Sequence, residues 1–133
     1  MDRSILIADA DPEWSRHCQL FLSQKGFDVV TAAGGVECLG ILRLVTPAVL
    51  VLDQGIAWGG SDGVLARLRE DWGTFPLPAV LLTGGAPAED RSALVVRPVV
   101  KYLAKPYPLS TLLDEVYSLT HRSLLGRLLA SRN

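Results

Sequence analysis

Residues 48–52, Ala-Val-Leu-Val-Leu, run without interruption into Asp53, and the apolar pattern then collapses into a loop that holds Gly55, Gly59, Gly60 and Gly63. A strand with one wet face alternates apolar and polar residues. An unbroken apolar strand must instead be covered on both faces, as in the middle of a parallel sheet lying between two layers of helices. Asp53 stands where that strand emerges. Ligands of open α/β sheets bind beyond the carboxyl ends of the strands, so a carboxylate there is either a turn former or cap, or a group with chemistry to perform.

The design recurs along the chain. Residues 5–8 end in Asp9, residues 79–82 end in Thr83 followed by Gly84-Gly85, and residues 99–104 end in Lys105-Pro106. Residues 27–31 alternate and are rich in β-branched side chains, which predicts a second strand nearer an edge. Between the strands lie helical patterns. Asp11 is placed as an N-cap with Pro12 in the first turn, and Trp14, Cys18, Phe21 and Leu22 share one face before Gly26 stops the helix. Gly34-Gly35 open a second helix to about Val45, with Val36, Leu39, Leu42 and Ile41 inward. Asp62-Gly63 begin a third, to about Trp72, with Leu65 and Leu68 inward. A short fourth helix is expected over 88–96. A fifth starts near Leu109, with Ser110 as a cap and Leu112, Leu113, Val116 and Leu119 inward. These alternations, joined by short connections, predict an α/β fold: a five-stranded, doubly wound parallel sheet in a flavodoxin-like three-layer sandwich. Asp9, Asp53, Thr83 and Lys105 would then meet at one edge of the sheet.

At 133 residues the chain is one domain's worth, able to bury roughly two-thirds of its unfolded surface. A formal net charge of −1 with no basic block argues against direct nucleic-acid binding, which needs clustered cations. No stretch is long and apolar enough for a membrane span or a secretory signal, so the expected location is cytoplasmic. Cys18 and Cys38 lack metal-site or redox spacing and read as buried reduced thiols. His17 has no ligand partner in the sequence, and His121 reads as a solvated residue.

Taken in order, Ile5-Leu6-Ile7-Ala8-Asp9, Asp53, Asp62-Gly63, Thr83-Gly84 and Tyr102-Leu103-Ala104-Lys105-Pro106 make residues 4–120 resemble the receiver domain of bacterial two-component response regulators. The resemblance implies a phosphoacceptor signalling domain rather than a conventional enzyme. Asp53 would take a phosphoryl group from a histidine kinase or phosphotransfer protein in the presence of Mg²⁺. Thr83 would hydrogen-bond one phosphoryl oxygen and Lys105 would offset the charge on another. Tyr102 would switch position as Thr83 moves, changing the surface offered to a downstream protein target. Lys105-Pro106 would be cis. Asp9, Asp53 and the Gly55 carbonyl would be the protein ligands of Mg²⁺.

The chain departs from that pattern in two places. Ala10 stands where the family usually has a second acid, which removes one carboxylate from a cation that favours oxygen ligands and weakens the expected Mg²⁺ site. Asp62 lies nine residues beyond Asp53, a loop two residues longer than usual, and that loop carries Trp58. These departures support an alternative function, a phosphorylation-impaired pseudo-receiver acting as a protein-interaction module. Residues 121–133 extend past the receiver as a helical extension or linker. Leu124, Leu125, Leu128 and Leu129 form a second apolar stripe there, which suggests a homodimer through the C-terminal helix. Unbroken from Leu109 to Ala130, that helix would span roughly 33 Å.

Overall fold

The structure, a computed structural model, describes residues 2–56, 60–70, 78–85 and 98–131, with side chains to residue 121. In chain order the elements are β1 (Ser4–Ala8), α1 (Pro12–Gln24), β2 (Asp28–Ala32), α2 (Gly35–Leu44), β3 (Val49–Asp53), α3 (Gly60–Glu70), β4 (Ala79–Gly84), β5 (Val99–Ala104) and α4 (Leu109–Ser131). The expected fourth helix over 88–96 and Trp58 lie outside the described residues.

All five strands are parallel, in the order β2-β1-β3-β4-β5. Because side chains alternate across a strand, β3 splits its apolar run between two cores. Leu50 and Leu52 pack with Cys38 and Leu42 of α2 and with Val64, Leu65 and Leu68 of α3. Val49 and Val51 pack with Cys18 and Leu22 of α1 and with Leu112 and Val116 of α4. This division explains the unbroken sequence pattern, since each strand residue has a helix to face. The edge strand β2 has a wet face, with Asp28 and Val30 exposed.

The local signals at α1 act as expected. Asp11 accepts hydrogen bonds from the Glu13 and Trp14 amides at 3.1 and 3.2 Å, Pro12 occupies the first turn, and Gly26 follows the helix at φ 93°. That left-handed conformation carries a steric cost for any residue with a Cβ. Three expectations need correction. Ser110, expected as a cap, lies inside the first turn of α4, which begins at Leu109. Val36 is 67% exposed, and the inward positions of α2 belong to Cys38 and Leu42, with Leu39 and Ile41 partly buried. Helix α3 starts at Gly60 rather than at Asp62-Gly63, so the loop's last residues already form its first turn.

One irregularity sets the register of the site. Val80 pairs with Val99, but Leu81 pairs with Lys101, so β5 carries a bulge at Val100. The extra residue flips the facing of all that follows. Val99 and Leu103, four residues apart, consequently enter opposite cores. Thr83 comes to lie opposite Leu103 and Gly84 opposite Ala104, leaving Lys105 just past the end of β4.

Candidate functional site

The strand order reverses between β1 and β3, because the chain leaves β1 for β2 on one side and reaches β3 on the other. Such a switch point opens a crevice at the carboxyl ends of the two strands. Ala8 pairs with Leu52, so Asp9 and Asp53 emerge side by side there, and Asp53 pairs on its other side with Thr83.

The side chains converge as the strand ends require. The Lys105 Nζ lies 2.5 Å from Asp9 Oδ2 and 3.2 Å from Asp53 Oδ1. Asp9 is 5% exposed, Asp53 9% and Thr83 1%, so two carboxylates and one ammonium share a largely desolvated space. Each remaining oxygen is also engaged. The Asp11 amide donates to Asp9 Oδ1 at 2.9 Å, and the Gly55 amide donates to Asp53 Oδ2 at 3.1 Å. The Thr83 hydroxyl reaches Asp53 Oδ1 at 3.4 Å and the Leu52 carbonyl at 3.5 Å. Burial alone would lower the lysine's pKa, but the Asp9 and then the Asp53 carboxylate outweigh it and hold the ammonium above its ordinary 10.5. The cation is therefore fixed at neutral pH.

Lys105 is presented by a cis Lys105–Pro106 peptide, and its amide donates to the Gly84 carbonyl at 2.7 Å. Behind it Tyr107 is buried edge-on against Trp14, with ring centroids 5.3 Å apart. Burial pushes the Tyr107 hydroxyl well above its ordinary range, so it stays neutral. Tyr102 is partly buried, and its hydroxyl donates to the Gly85 carbonyl at 2.5 Å.

The donor set bears on a metal. Two adjacent buried carboxylates are hard oxygen donors that suit Mg²⁺. No further His, Cys, Asp or Glu among the described residues joins them into a group of three. Ala10 is exposed and offers no side-chain oxygen, and Asp11 is committed to capping α1. The residues thus fit a two-carboxylate site completed by carbonyl and water oxygens.

One participant, Gln54, was not singled out from sequence. Gln54 and Gly84 flank the site, with the Gln54 amide donating to the Thr83 carbonyl at 2.7 Å. The only sequence signal was a glycine directly after the strand-end threonine. Both cysteines are buried free thiols, as expected.

Among known proteins, a regulator of Cyanophora paradoxa described as probable transcriptional regulator ycf27 is 31% identical over 121 residues, covering 91% of this chain and 49% of that protein. The chain spans about half the length of the curated transcriptional regulators it matches. The signal receiver domain of a putative LuxO repressor protein from Vibrio parahaemolyticus superposes with a TM-score of 0.84 at 15% identity, covering 97% of this chain and 98% of that one. The response regulator TrrA of Thermotoga maritima, in complex with Mg²⁺-BeF, superposes at 0.73 with 21% identity, covering 88% and 98%. The profile of the response regulator receiver domain matches residues 5–117. Sequence, topology and the clustered strand-end residues agree: the chain belongs to the response regulator receiver domain family, the phosphoryl-accepting domain of two-component signalling.

Proposed function

We propose that Asp53 is the phosphoacceptor of this receiver, with Thr83 and Lys105 completing the site. The observation that carries this reading is the Lys105 ammonium within 3.2 Å of Asp53 while Thr83 approaches the same carboxylate from the neighbouring strand. An Asp53 oxygen forms the new bond to phosphorus, the donor's P–N bond breaks, and its electron pair returns to the departing imidazole. Phosphoryl transfer leaves little covalent chemistry to the protein beyond alignment and charge neutralisation. Lys105 and the Thr83 hydroxyl do this for the peripheral oxygens. Mg²⁺, held by Asp9, Asp53 and the Gly55 carbonyl, would supply further positive charge, and its site is weakened by Ala10. The donor is a histidine kinase or phosphotransfer protein, and the domain acts as an acceptor rather than an enzyme on other substrates.

Movement of Thr83 toward the phosphoryl group would release Tyr102 from its present contact and alter the face offered to a downstream protein target. The receiver unit comprises residues 1–120. Helix α4 continues to Ser131, 23 residues or about 35 Å, well beyond strands of five or six residues. Its leucine-rich end supports a homodimer through that helix. No helix among the described residues is long and apolar enough to cross a membrane, which agrees with a cytoplasmic location. The near-neutral charge argues against direct nucleic-acid binding.

Ala10 and the commitment of Asp11 to its helix favour one second reading, a pseudo-receiver that keeps the fold as an interaction module. Intact mass after incubation with a small acyl phosphate and Mg²⁺ decides between them. The expected result is a phosphate adduct on the parent and none on Asp53→Ala. Absence of an adduct on the parent assigns the interaction module.

A further inference from the structure

The flank of the site between Thr83 and Tyr102 is filled in an unusual way. Gln54 is fixed at its backbone, its amide donating to the Thr83 carbonyl at 2.7 Å and its carbonyl accepting from the Ser61 amide at 3.4 Å. Its side chain lies across Gly84. A Cβ placed at residue 84 would stand 2.6 Å from Gln54 Oε1, 3.2 Å from Gln54 Cβ and 3.0 Å from the Tyr102 hydroxyl oxygen. The carboxamide and the phenol thus occupy the space that any side chain at 84 would claim. Beside a larger residue 84 the Gln54 carboxamide would have to swing aside and the Tyr102 hydroxyl would have to yield by a few tenths of an ångström.

We infer that Gln54 is a positioning residue: its carboxamide, lying over Gly84 beside the Tyr102 hydroxyl, limits where that hydroxyl can sit and so steadies its bond to the Gly85 carbonyl, restraining the residue proposed to move when Asp53 is phosphorylated. The link to phosphorylation rests on Asp53 being the acceptor, while the packing claim rests on the spacing around Gly84. Glycine at 84 is the condition for this arrangement, since only a missing Cβ leaves room for both groups.

A four-protein cycle tests the inference: the parent, Gly84→Ala, Gln54→Ala and the double variant. Two quantities are read, the ¹⁹F resonance of Tyr102 in fluorotyrosine-labelled protein, assigned with Tyr102→Phe, and the initial rate of phosphorylation by acetyl phosphate with Mg²⁺. Gly84→Ala should shift the Tyr102 resonance and slow phosphorylation up to about tenfold, because crowding next to Thr83 disturbs the alignment of a site where small misplacements are costly. Gln54→Ala should shift the Tyr102 resonance by removing the carboxamide beside it. In the double variant the added methyl no longer meets the carboxamide but still stands against the Tyr102 hydroxyl, so alanine at 84 should have a clearly smaller effect on both readouts than it has in the parent. Gln54→Glu, of equal length, should leave the resonance in place. An unmoved Tyr102 resonance in Gly84→Ala, or an effect of alanine at 84 that is the same in the parent as in the Gln54→Ala background, overturns the inference. Should no variant acquire phosphate, the acceptor reading has failed, and the resonance alone decides the packing claim.

Discussion

Replacing Lys105 by methionine keeps the length of the side chain and removes its charge, leaving the two carboxylates facing each other without a cation. The lysine's side chain is 26% exposed, Asp9's 5% and Asp53's 12%, so solvent screens the pair only in part. Removing one partner of a buried ion pair costs about 3–5 kcal/mol, and the partial exposure of the lysine places this case near 3 kcal/mol. For a chain of 133 residues, with unfolding entropy of about 2.1 cal/mol/K per residue, that lowers Tm by roughly 10 °C. The pH dependence has a definite sign. Lys105 has a raised pKa in the folded protein, so its contribution is complete below the unfolded value near 10.5 and is lost as pH rises through the higher folded value. The stability gap between parent and Lys105→Met, measured by urea unfolding in a chelator, should therefore be constant through neutral pH and close in strongly alkaline buffer. Adding Asp9→Asn should recover part of the loss by removing one of the opposed charges. A gap below about 1 kcal/mol, typical of an exposed pair, or one that persists unchanged above pH 11, would refute the reasoning.

Other outcomes follow from the same contacts. Burial pushes the Cys18 and Cys38 thiols up to about 12, so a thiol reagent at pH 8 should label neither in native protein and both after unfolding, as counted by mass. Ala10→Asp should tighten Mg²⁺ binding about tenfold, equivalent to about 1.4 kcal/mol, in calorimetric titration, and should lower Tm in a chelator by adding a third acid. Truncation after Thr120 should convert a dimer to a monomer in sedimentation velocity while leaving the far-ultraviolet signature of the sheet in place; an unchanged sedimentation coefficient excludes association through α4.

The four strand-end residues were legible because a polar residue closing an apolar run is a one-dimensional pattern. The parallel sheet then brings such ends together irrespective of their separation in sequence. Helix α2 shows where periodicity fails. Over ten residues it carries apolar side chains at 36, 38, 39, 41, 42 and 44, enough to draw an inward stripe through either Val36 or Cys38, and only packing against β1, β2 and α3 selects the latter. The bulge at Val100 left no mark in composition, yet it decides which face Leu103 enters and where Lys105 emerges. The Gln54–Gly84–Tyr102 contact is a matter of volume, and a hydrophobicity pattern contains no volumes.

Ala10 acquires a physical meaning once the charges at the site are counted. Asp9 and Asp53 oppose one ammonium, leaving the site one charge short of neutrality, and Lys105 contacts both carboxylates. A second acid after β1 would add another negative charge that this single lysine cannot reach while bridging the existing pair. The apo site would then depend more heavily on a divalent cation. With alanine at that position the lysine is the one cation bridging the carboxylates, so a second acid is expected to cost the apo fold stability while strengthening Mg²⁺ binding. If Asp53 is the acceptor, as proposed, Lys105 would have to leave Asp9 in part to meet a phosphoryl oxygen, and the Asp9–Lys105 contact at 2.5 Å is the interaction that phosphorylation would have to weaken. On that reading the lysine that partly neutralises the resting site also sets a threshold for activation, and with no acid at residue 10 it is the principal counterion of both carboxylates.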